Sequence, residues 1–304
     1  VSKSGGAGAS ASSRAIALVT SAGFAQAYRR TGVSLSVSAI AGEGTGMERD
    51  HDYSAACHFE DLKTPQEVGK SAGERAVKRL NARKIASQAV TVIYDRRVAS
   101  SLLGHLSSAI NGAAIARGTS FLKSKMGQQI FSKGISVIDD PLRLRGLASR
   151  PFDGEGLSSS RRELIADGIL TGWVLDLRSA RQLGLPPTGN GSRGLSSPPG
   201  PSTSNLHLKP GQLSPEEMIG SLKQGLYITE LIGNSVNLVT GDYSRGASGF
   251  WIENGELAFP VSEITIAGNL GDMFMTLEPA NDLIFKSSTN APACRVEGLT
   301  IAGT

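Results

Sequence analysis

The last quarter of the chain constrains the fold most strongly, because it consists almost entirely of predicted strands and turns. From Leu226 onward, apolar segments alternate with turns, as in YITELI, VNLVTGDY and SGFWIENGELAF. The Asn254-Gly255 pair is typical of a two-residue hairpin turn, since both residues adopt positive φ readily. Glycine contributes 37 of the 304 residues and aromatic residues only 5%. Many turns and an aliphatic core predict a strand-rich fold rather than a helical bundle.

Three further strands are predicted in the N-terminal part. Residues 14–20 and 33–41 have the composition of strands, and the second alternates Val and Leu with Ser. The segment between them is predicted to be a turn or short connection. Residues 47–59 predict a third strand, in which Asp50 and Asp52 lie on one side because side chains alternate along a strand.

Two helices are marked by different signals. The first begins after Thr64, which is followed by proline and, three residues on, by Glu67; this is a capping box, and the helix is expected to run to about Leu80. The second is predicted over Val98–Phe121, where apolar residues recur at three- and four-residue steps. Its remaining residues are mostly Ser, Ala and Gly, so another backbone can approach closely. Its one titratable residue in the first turns is His105.

The middle and the end of the chain predict shorter elements and one long loop. The predicted elements are a strand at 135–139, a hairpin of 162–165 and 169–174 around Asp167-Gly168, helices at 176–183, 214–224 and 269–277, and closing strands at 282–286 and 294–303. Residues 184–211 are dense in Pro, Gly and Ser and show almost no periodicity. A loop of this length in a compact domain is either functional or disordered.

Charge and composition exclude some classes of protein. The net charge is +4, and the Lys and Arg residues are dispersed without interleaved aromatic residues, which favours a solvated surface over a nucleic-acid interface. No window of about 18 apolar residues could span a membrane. The two cysteines, Cys57 and Cys294, are far apart, and so few cysteines suit a reducing, cytoplasmic compartment.

One group of residues has the types needed for a metal site. His51, Cys57 and His58 lie near Asp50 and Asp52. The spacing is not that of a structural zinc pair, and no second pair of ligands follows. If the strand continues through Cys57 and His58, these neighbours point to opposite faces and cannot easily share one ion. We interpret the group as a partly exposed strand, while a cryptic enzyme site remains an alternative if the side chains converge.

No complete catalytic set is found among the other motifs. Ser248 lies in a sequence related to a nucleophile elbow, but Phe250 occupies the position that requires glycine. No phosphate-binding glycine loop opens a helix. His105 lacks the second histidine and the glutamate of a zincin helix, so we interpret it as a polar residue satisfied by hydrogen bonding. The residues alone therefore indicate a strand-rich protein without an evident active site.

Several segments together resemble one known family. They are SLSVSAIAGEGTGMERDHDYSAA, RVASSLLGHLSSAINGAAIARGTSFL, TGNG, SNLHLKPG and TELIGNSVNLVTGDYSRGASGFWIENGELAFPVSEITIAGNL. These segments are similar to the PmbA/TldE branch of the TldD/PmbA family. The resemblance implies an α+β fold with antiparallel sheets and a few helices, and a preceding α/β domain that is largely missing. It also implies a division into 1–84, the end of the N-terminal and central region, and 85–304, the β-rich C-terminal domain.

The resemblance also implies where a metal would lie in a relative. TldD-type subunits bind zinc through an HExxxH helix and a later cysteine, and pair with TldE-type subunits in a metalloprotease that acts on unfolded peptides. Aligned on the shared Arg117–Ser120, the three helix positions are occupied by Leu103, Gly104 and Ser108. Leucine and glycine cannot bind zinc or transfer a proton. Cys294 lies beyond the expected position of the cysteine ligand.

These features predict a subunit without a metal or cofactor of its own and without catalytic activity by itself. It would contribute a dimer interface and a peptide channel, with zinc held by a TldD-like partner, and would bind neither nucleic acid nor membrane. The alternative is a homodimeric regulatory binding protein of the gyrase-modulator type, with no role in proteolysis. The residues expected to contact substrate or partner, besides loop 184–211, are Asn190, Asn205, Tyr243, Arg245, Ser248 and Trp251.

Overall fold

The structure, a computed structural model, describes residues 1–194 and 196–303. Leu195, within the predicted loop, and Thr304 lie outside the described residues. The strands are β1 (Lys3–Val19), β2 (Ala25–Ala41), β3 (Glu48–Ala56), β4 (Gln88–Tyr94), β5 (Val137–Asp139), β6 (Arg162–Ala166), β7 (Ile169–Leu170), β8 (Gly191–Ser192), β9 (Gly200–Pro201), β10 (Leu206–Leu208), β11 (Gln224–Val236), β12 (Asp242–Glu253), β13 (Glu256–Asn269), β14 (Glu278–Pro279), β15 (Thr289–Asn290) and β16 (Cys294–Ala302). The α-helices are α1 (Pro65–Lys78), α2 (Arg96–Ala109), α3 (Gly112–Ala116), α4 (Leu177–Leu183), α5 (Pro215–Gly220) and α6 (Leu270–Thr276).

The N-terminal sheet is antiparallel, in the order β1-β2-β3, and α1 packs on it. The predicted capping box of α1 is confirmed: the Glu67 amide donates to the Thr64 hydroxyl at 3.2 Å, and the Thr64 amide donates to the Glu67 carboxylate at 2.8 Å. Ala72 and Ala76 of the helix pack against alanines of β2. The prediction of a connection between residues 20 and 33 is wrong in extent, because β2 already begins at Ala25. Backbone pairing with β1 extends the strand through residues of weak strand propensity.

The C-terminal part is built around a closed sheet. Strands β13, β12, β11, β4 and β16 are hydrogen-bonded in that order, and β13 also pairs with β16, so that five strands form a barrel. Among the described strands of this closed sheet, β11 and β4 are the one parallel pair. The predicted hairpin turn between β12 and β13 is confirmed, with φ of 52° at Asn254 and 82° at Gly255. Helix α2 follows β4 directly and packs on β11 and β15.

A second sheet has the order β15-β10-β5-β6-β7. The predicted turn between β6 and β7 is confirmed, with positive φ at Asp167 and Gly168. A Cβ at Gly168 would also lie only 2.4 Å from the carbonyl oxygen of Phe131. Both the positive φ and this close contact therefore require glycine at the position. The prediction of a strand at 282–286 is wrong, because this segment forms no strand pairing. Instead the amide of Lys286 donates to the side chain of Asn290 at 2.9 Å.

The predicted single helix Val98–Phe121 is also wrong. Helix α2 ends at Ala109, and a separate helix, α3, follows. The side chain of Asn111 caps α3 by accepting a hydrogen bond from the amide of Ala113 at 3.0 Å. The amide of Gly112 donates to the carbonyl of Val174 at 2.8 Å, and a Cβ at Gly112 would lie 2.9 Å from that oxygen. Close approach of another backbone therefore breaks the helix where its residues are smallest.

No helix within residues 1–194 and 196–303 is both long enough and apolar enough to cross a membrane.

Candidate functional site

Helix α2 carries the three positions at which, by the family resemblance, TldD-type relatives hold zinc. Asp95 caps its first turn by accepting a hydrogen bond from the amide of Arg97 at 2.8 Å. Leu103 is only 2% exposed and belongs to the core beneath the helix. Gly104 and Ser108 are exposed, and the Ser108 hydroxyl donates to the carbonyl of Gly104 at 2.9 Å. The three positions therefore do not face one common point.

The residues at these positions do not fit a zinc ion. Leu103 is buried in the core, whereas Ser108 is exposed, so these two side chains point to different environments. Leu103 and Gly104 carry no donor atom, and the Ser108 hydroxyl is used within the helix. Across the described ranges, no group of three or more His, Cys, Asp or Glu is arranged to hold a metal ion. We derive no chemical step through a metal in this chain.

A buried polar cluster lies beneath α2 instead. We define the His105 cluster as His105 of α2, Tyr94 of β4, and Tyr243 and Arg245 of β12. The His105 and Tyr243 rings meet edge to face with centroids 5.8 Å apart. Tyr94 is fully buried and Tyr243 is 2% exposed, while His105 and Arg245 are half-buried. The hydroxyls of Tyr94 and Tyr243 approach each other without meeting the geometry of a hydrogen bond.

The environment of the His105 cluster favours uncharged side chains beside one guanidinium. Burial, and next the positive charge of Arg245, lower the pKa of His105 from 6.5 to about 4. Burial raises the pKa of Tyr94 and of Tyr243. At neutral pH the imidazole and both phenols are therefore neutral hydrogen-bonding groups, and Arg245 carries the charge of the cluster.

Two other residues of the predicted contact set lie within the barrel wall. Ser248 is 5% exposed and lies in the middle of β12, and Trp251 is 6% exposed and lies near the end of the same strand. A nucleophile elbow requires a sharp turn from a strand to a helix, whereas Ser248 lies within a continuous strand. At Gly249 a Cβ would lie 2.0 Å from the carbonyl of Tyr227 on β11, so this glycine serves the close strand contact. A contact between these residues and a substrate stays a prediction.

The predicted loop 184–211 is anchored by two asparagines. Asn190 is 4% exposed, and its amide donates to the carboxylate of Asp139 at 2.9 Å. Asn205 is 2% exposed; its amide nitrogen donates to the carbonyl of Asp140 at 2.7 Å, and its oxygen accepts from the amide of Ala148 at 2.9 Å. Both side chains are thus used within the chain. Their contact with a substrate or partner remains a prediction.

The structure does not bring together the residues of the second candidate metal site. The side chain of His51 is 66% exposed. The expectation that Cys57 and His58 are neighbours in a strand is wrong, because β3 ends at Ala56. Beyond that end the chain turns, and the Cys57 thiol donates to the carbonyl of Arg145 at 3.3 Å. The alternative of a cryptic enzyme site at these residues loses its geometric basis.

The two aspartates of β3 take part in an ion-pair network that sequence analysis missed. Asp50 and Asp52 share one buried side of β3, as predicted, at 5% and 2% exposure. Asp50 accepts from the guanidinium of Arg97 in α2 at 3.0 Å, and Asp52 lies 3.4 Å from the ammonium of Lys286. Arg79 extends the network to the C-terminal sheet. These pairs border a cavity of about 240 Å³ and join the N-terminal sheet to α2.

Replacement of Asp52 is expected to reduce stability in a pH-dependent way. Burial alone would raise the pKa of Asp52, but Ser71, Arg75, the backbone amide of Tyr53 and Lys286 together lower it from 3.8 to about 2. The carboxylate therefore stabilises the fold fully above about pH 4, and this contribution is lost as pH falls to about 2. We expect Asp52→Asn to lower the free energy of unfolding by about 2 kcal/mol at pH 7. Denaturant titrations across this pH range test the expectation.

The control for Asp52 is an exposed ion pair. Asp61 accepts from the guanidinium of Arg145 at 2.6 Å, with side-chain exposures of 36% and 47%. Asp61→Asn is expected to change the free energy of unfolding by less than about 0.5 kcal/mol, because exposed pairs contribute little. Equal losses in the two variants, or a loss in Asp52→Asn that persists at pH 2, would contradict the assigned network.

Comparison with known proteins identifies the family. Residues 2–80 match the model of the PmbA/TldA metallopeptidase central domain, and residues 87–303 match that of the PmbA/TldA metallopeptidase C-terminal domain. The chain belongs to the PmbA/TldD family. It is 42% identical over 282 residues to the metalloprotease PmbA of Escherichia coli O157:H7, which covers 92% of this chain and 61% of that protein. The chain thus spans about three fifths of the length of this PmbA/TldD relative.

Solved structures of the PmbA/TldD family share the fold. A proposed modulator of DNA gyrase from Bacteroides thetaiotaomicron aligns with a TM-score of 0.90 at 29% identity, over 98% of this chain and 66% of that one. TldE from Thermococcus kodakarensis aligns with a TM-score of 0.89 at 23% identity, over 98% of this chain and 69% of that one, and this likeness concerns the fold alone. The predicted α+β, strand-rich PmbA/TldD-type fold is confirmed.

Proposed function

We propose that this chain is part of a non-metal-binding subunit of a TldD-type zinc metalloprotease that processes unfolded peptides. The proposal rests on the residues that α2 carries at the three positions where relatives bind zinc. The helix is kept, but Leu103 is turned into the core, Gly104 has no side chain, and Ser108 bonds to its own helix. The name metalloprotease PmbA, borne by a relative at 42% identity, supports a role in proteolysis. In this proposal the partner subunit supplies the zinc.

The proposed subunit contributes surfaces that contact the peptide and the partner, and it carries out no catalytic step itself. The exposed positions Gly104 and Ser108 of α2 carry neither a charged nor a bulky side chain, so an extended peptide or a partner can approach the helix closely there. The half-buried His105 follows Gly104 on α2, and the charge of Arg245 acts on its ring. Free thiols at Cys57 and Cys294 are consistent with action in the cytoplasm, where thiols stay reduced. The division of the chain near residue 84 is retained as part of this proposal.

A homodimeric regulatory protein without a role in proteolysis is the second candidate. It is favoured by the likeness to a structure described as a proposed modulator of DNA gyrase. The two candidates differ in the partner that they require. The first needs a zinc-binding relative with an intact HExxxH helix, whereas the second needs only another copy of the same protein.

Co-purification decides between the candidates. The full-length protein is expressed with a tag beside an untagged TldD-type subunit of the same organism, and the complex is isolated by affinity and size-exclusion chromatography. We expect a stable complex of both subunits that carries zinc. A homodimer that excludes the TldD-type subunit under these conditions would contradict the first candidate and support the second.

A further inference from the structure

We propose that Arg245, His105 and Tyr243 form a binding site for a peptide carboxylate beneath helix α2. The inference rests on the proposed function, since it specifies which group of an unfolded peptide this subunit binds. The site uses the guanidinium of Arg245 as the charged group and the His105 ring and the Tyr243 hydroxyl as neutral donors. Tyr94 forms its inner wall.

The first argument is the number of buried polar atoms without a hydrogen-bond partner. Within the described part of the chain, such atoms include His105 Nε2, Tyr94 Oη, Tyr243 Oη and Arg245 Nε. These four belong to one cluster, and they are half of the eight unpartnered side-chain atoms. Buried polar groups in native proteins almost always have a partner, so their concentration at one place indicates a missing bound species. The species is polar, because an apolar one would leave the same atoms unpaired.

The second argument is the sign of the charge. None of the ion pairs found in residues 1–194 and 196–303 involves Arg245. The charged group that acts on both His105 and Tyr243 is Arg245, and no carboxylate acts on either. A half-buried guanidinium without a counterion strongly favours an anion, and its planar donors match a carboxylate. The hydroxyl of Tyr243 can donate to the same anion.

The third argument concerns the class of anion. One guanidinium balances one negative charge, so a carboxylate leaves the site neutral. A phosphate dianion would leave an uncompensated negative charge among buried aromatic rings, which is costly. His105 and Arg245 are half-buried, so the cluster reaches the surface through these two side chains, whereas Tyr94 and Tyr243 are closed off from solvent. Arg245 Nε and His105 Nε2 are themselves buried, so a carboxylate enters only when these side chains move. The carboxylate can come from the C-terminus of a peptide or from an acidic side chain, and the chemistry is the same.

The experiment measures how the full-length protein, alone and in its complex with the TldD-type subunit, binds three unstructured peptides. The peptides share one neutral sequence; the first ends in a free carboxylate, the second in an amide, and the third in an amide with one internal glutamate. We expect the first or the third to bind at least about tenfold more tightly than the second, as a charge-assisted hydrogen bond requires. The peptide that binds more tightly, the first or the third, identifies the source of the carboxylate.

Variants test whether the preference arises at the proposed site. Arg245→Gln is expected to abolish the tenfold preference, Arg245→Lys to keep part of it, and Tyr243→Phe to reduce it about threefold. The control Arg178→Gln changes an exposed arginine and is expected to keep the preference. Thermal unfolding verifies that each variant is folded, and Tyr243→Phe remains informative if Arg245→Gln does not fold.

Any of three results would overturn the inference. One is equal binding of all three peptides by the wild-type protein, which would mean that water alone fills the cluster. The second is a carboxylate preference that survives both Arg245→Gln and Tyr243→Phe, and the third is stronger competition by inorganic phosphate than by acetate. Complex formation with the TldD-type subunit is scored in the same preparations. Failure of the proposed function is thereby distinguished from failure of the carboxylate site.

Discussion

The Leu103→His variant is expected to unfold with a free energy about 3 kcal/mol below that of the wild type. Leu103 is 2% exposed and packs in the core beneath α2, so the substitution removes buried apolar surface. It also buries an imidazole without a hydrogen-bond partner, which adds a desolvation cost of similar size. Denaturant titration at pH 8 measures the loss, since the imidazole is then neutral in the unfolded chain.

The matched control introduces a histidine at position 108, on the exposed side of α2. Ser108 is exposed, and Ser108→His is expected to change the free energy of unfolding by less than about 0.5 kcal/mol. A variant with Leu103→His, Gly104→Glu and Ser108→His is expected to remain without stoichiometric zinc, because position 103 is buried in the core and the later cysteine ligand is absent. Stoichiometric zinc in the triple variant, without loss of stability, would show that position 103 is open to a metal and would contradict its burial.

The stability of the protein is expected to fall between pH 6.5 and pH 4 because of His105. Burial and Arg245 lower the pKa of His105 from 6.5 to about 4, so the unfolded chain takes up this proton at a higher pH than the native chain. Above pH 6.5 the residue is neutral in both states, and stability is unaffected. Across the window the loss reaches about 3 kcal/mol, and below pH 4 it is constant. Tyr243 and Arg245 from β12 lie beside the imidazole, and burial raises the pKa of Tyr243, away from this range.

His105→Gln is the variant that isolates this effect. Glutamine does not titrate, so the slope of unfolding free energy against pH between 6.5 and 4 is expected to decrease relative to the wild type. Measurements without peptide or acetate keep any bound carboxylate from affecting the result. An unchanged slope in His105→Gln would place the imidazole in a solvated environment and contradict its burial.

Local signals in the sequence predicted the elements that depend on neighbouring residues. The capping box at Thr64, the turns at Asp167-Gly168 and Asn254-Gly255, and the shared side of Asp50 and Asp52 follow from short-range geometry, and the structure confirms them. Helix α2 ends at Ala109 rather than at the predicted Phe121, and the reason is long-range. The break at Asn111 depends on the backbone of Val174, which is distant in sequence.

The candidate sites could be predicted only in part, because their members come from distant elements. The partners of Asp50 and Asp52 lie at positions 97 and 286, and no periodicity connects these positions. The His105 cluster combines α2, β4 and β12, which meet only when the barrel closes. Inspection of α2 alone indicated that His105 was a satisfied polar residue. In the structure its Nε2 atom is buried without a partner, which suggests binding rather than packing.

The most direct test of the account is peptide hydrolysis by the full-length protein, reconstituted with zinc, alone and with the TldD-type subunit. If this subunit has no catalytic metal of its own, the protein alone shows no hydrolysis and holds no stoichiometric zinc. We expect hydrolysis by the complex, abolished when the HExxxH glutamate of the TldD-type subunit is replaced by glutamine. Zinc-dependent hydrolysis of an unstructured peptide by the isolated protein, at the rate of the complex, would contradict the central claim.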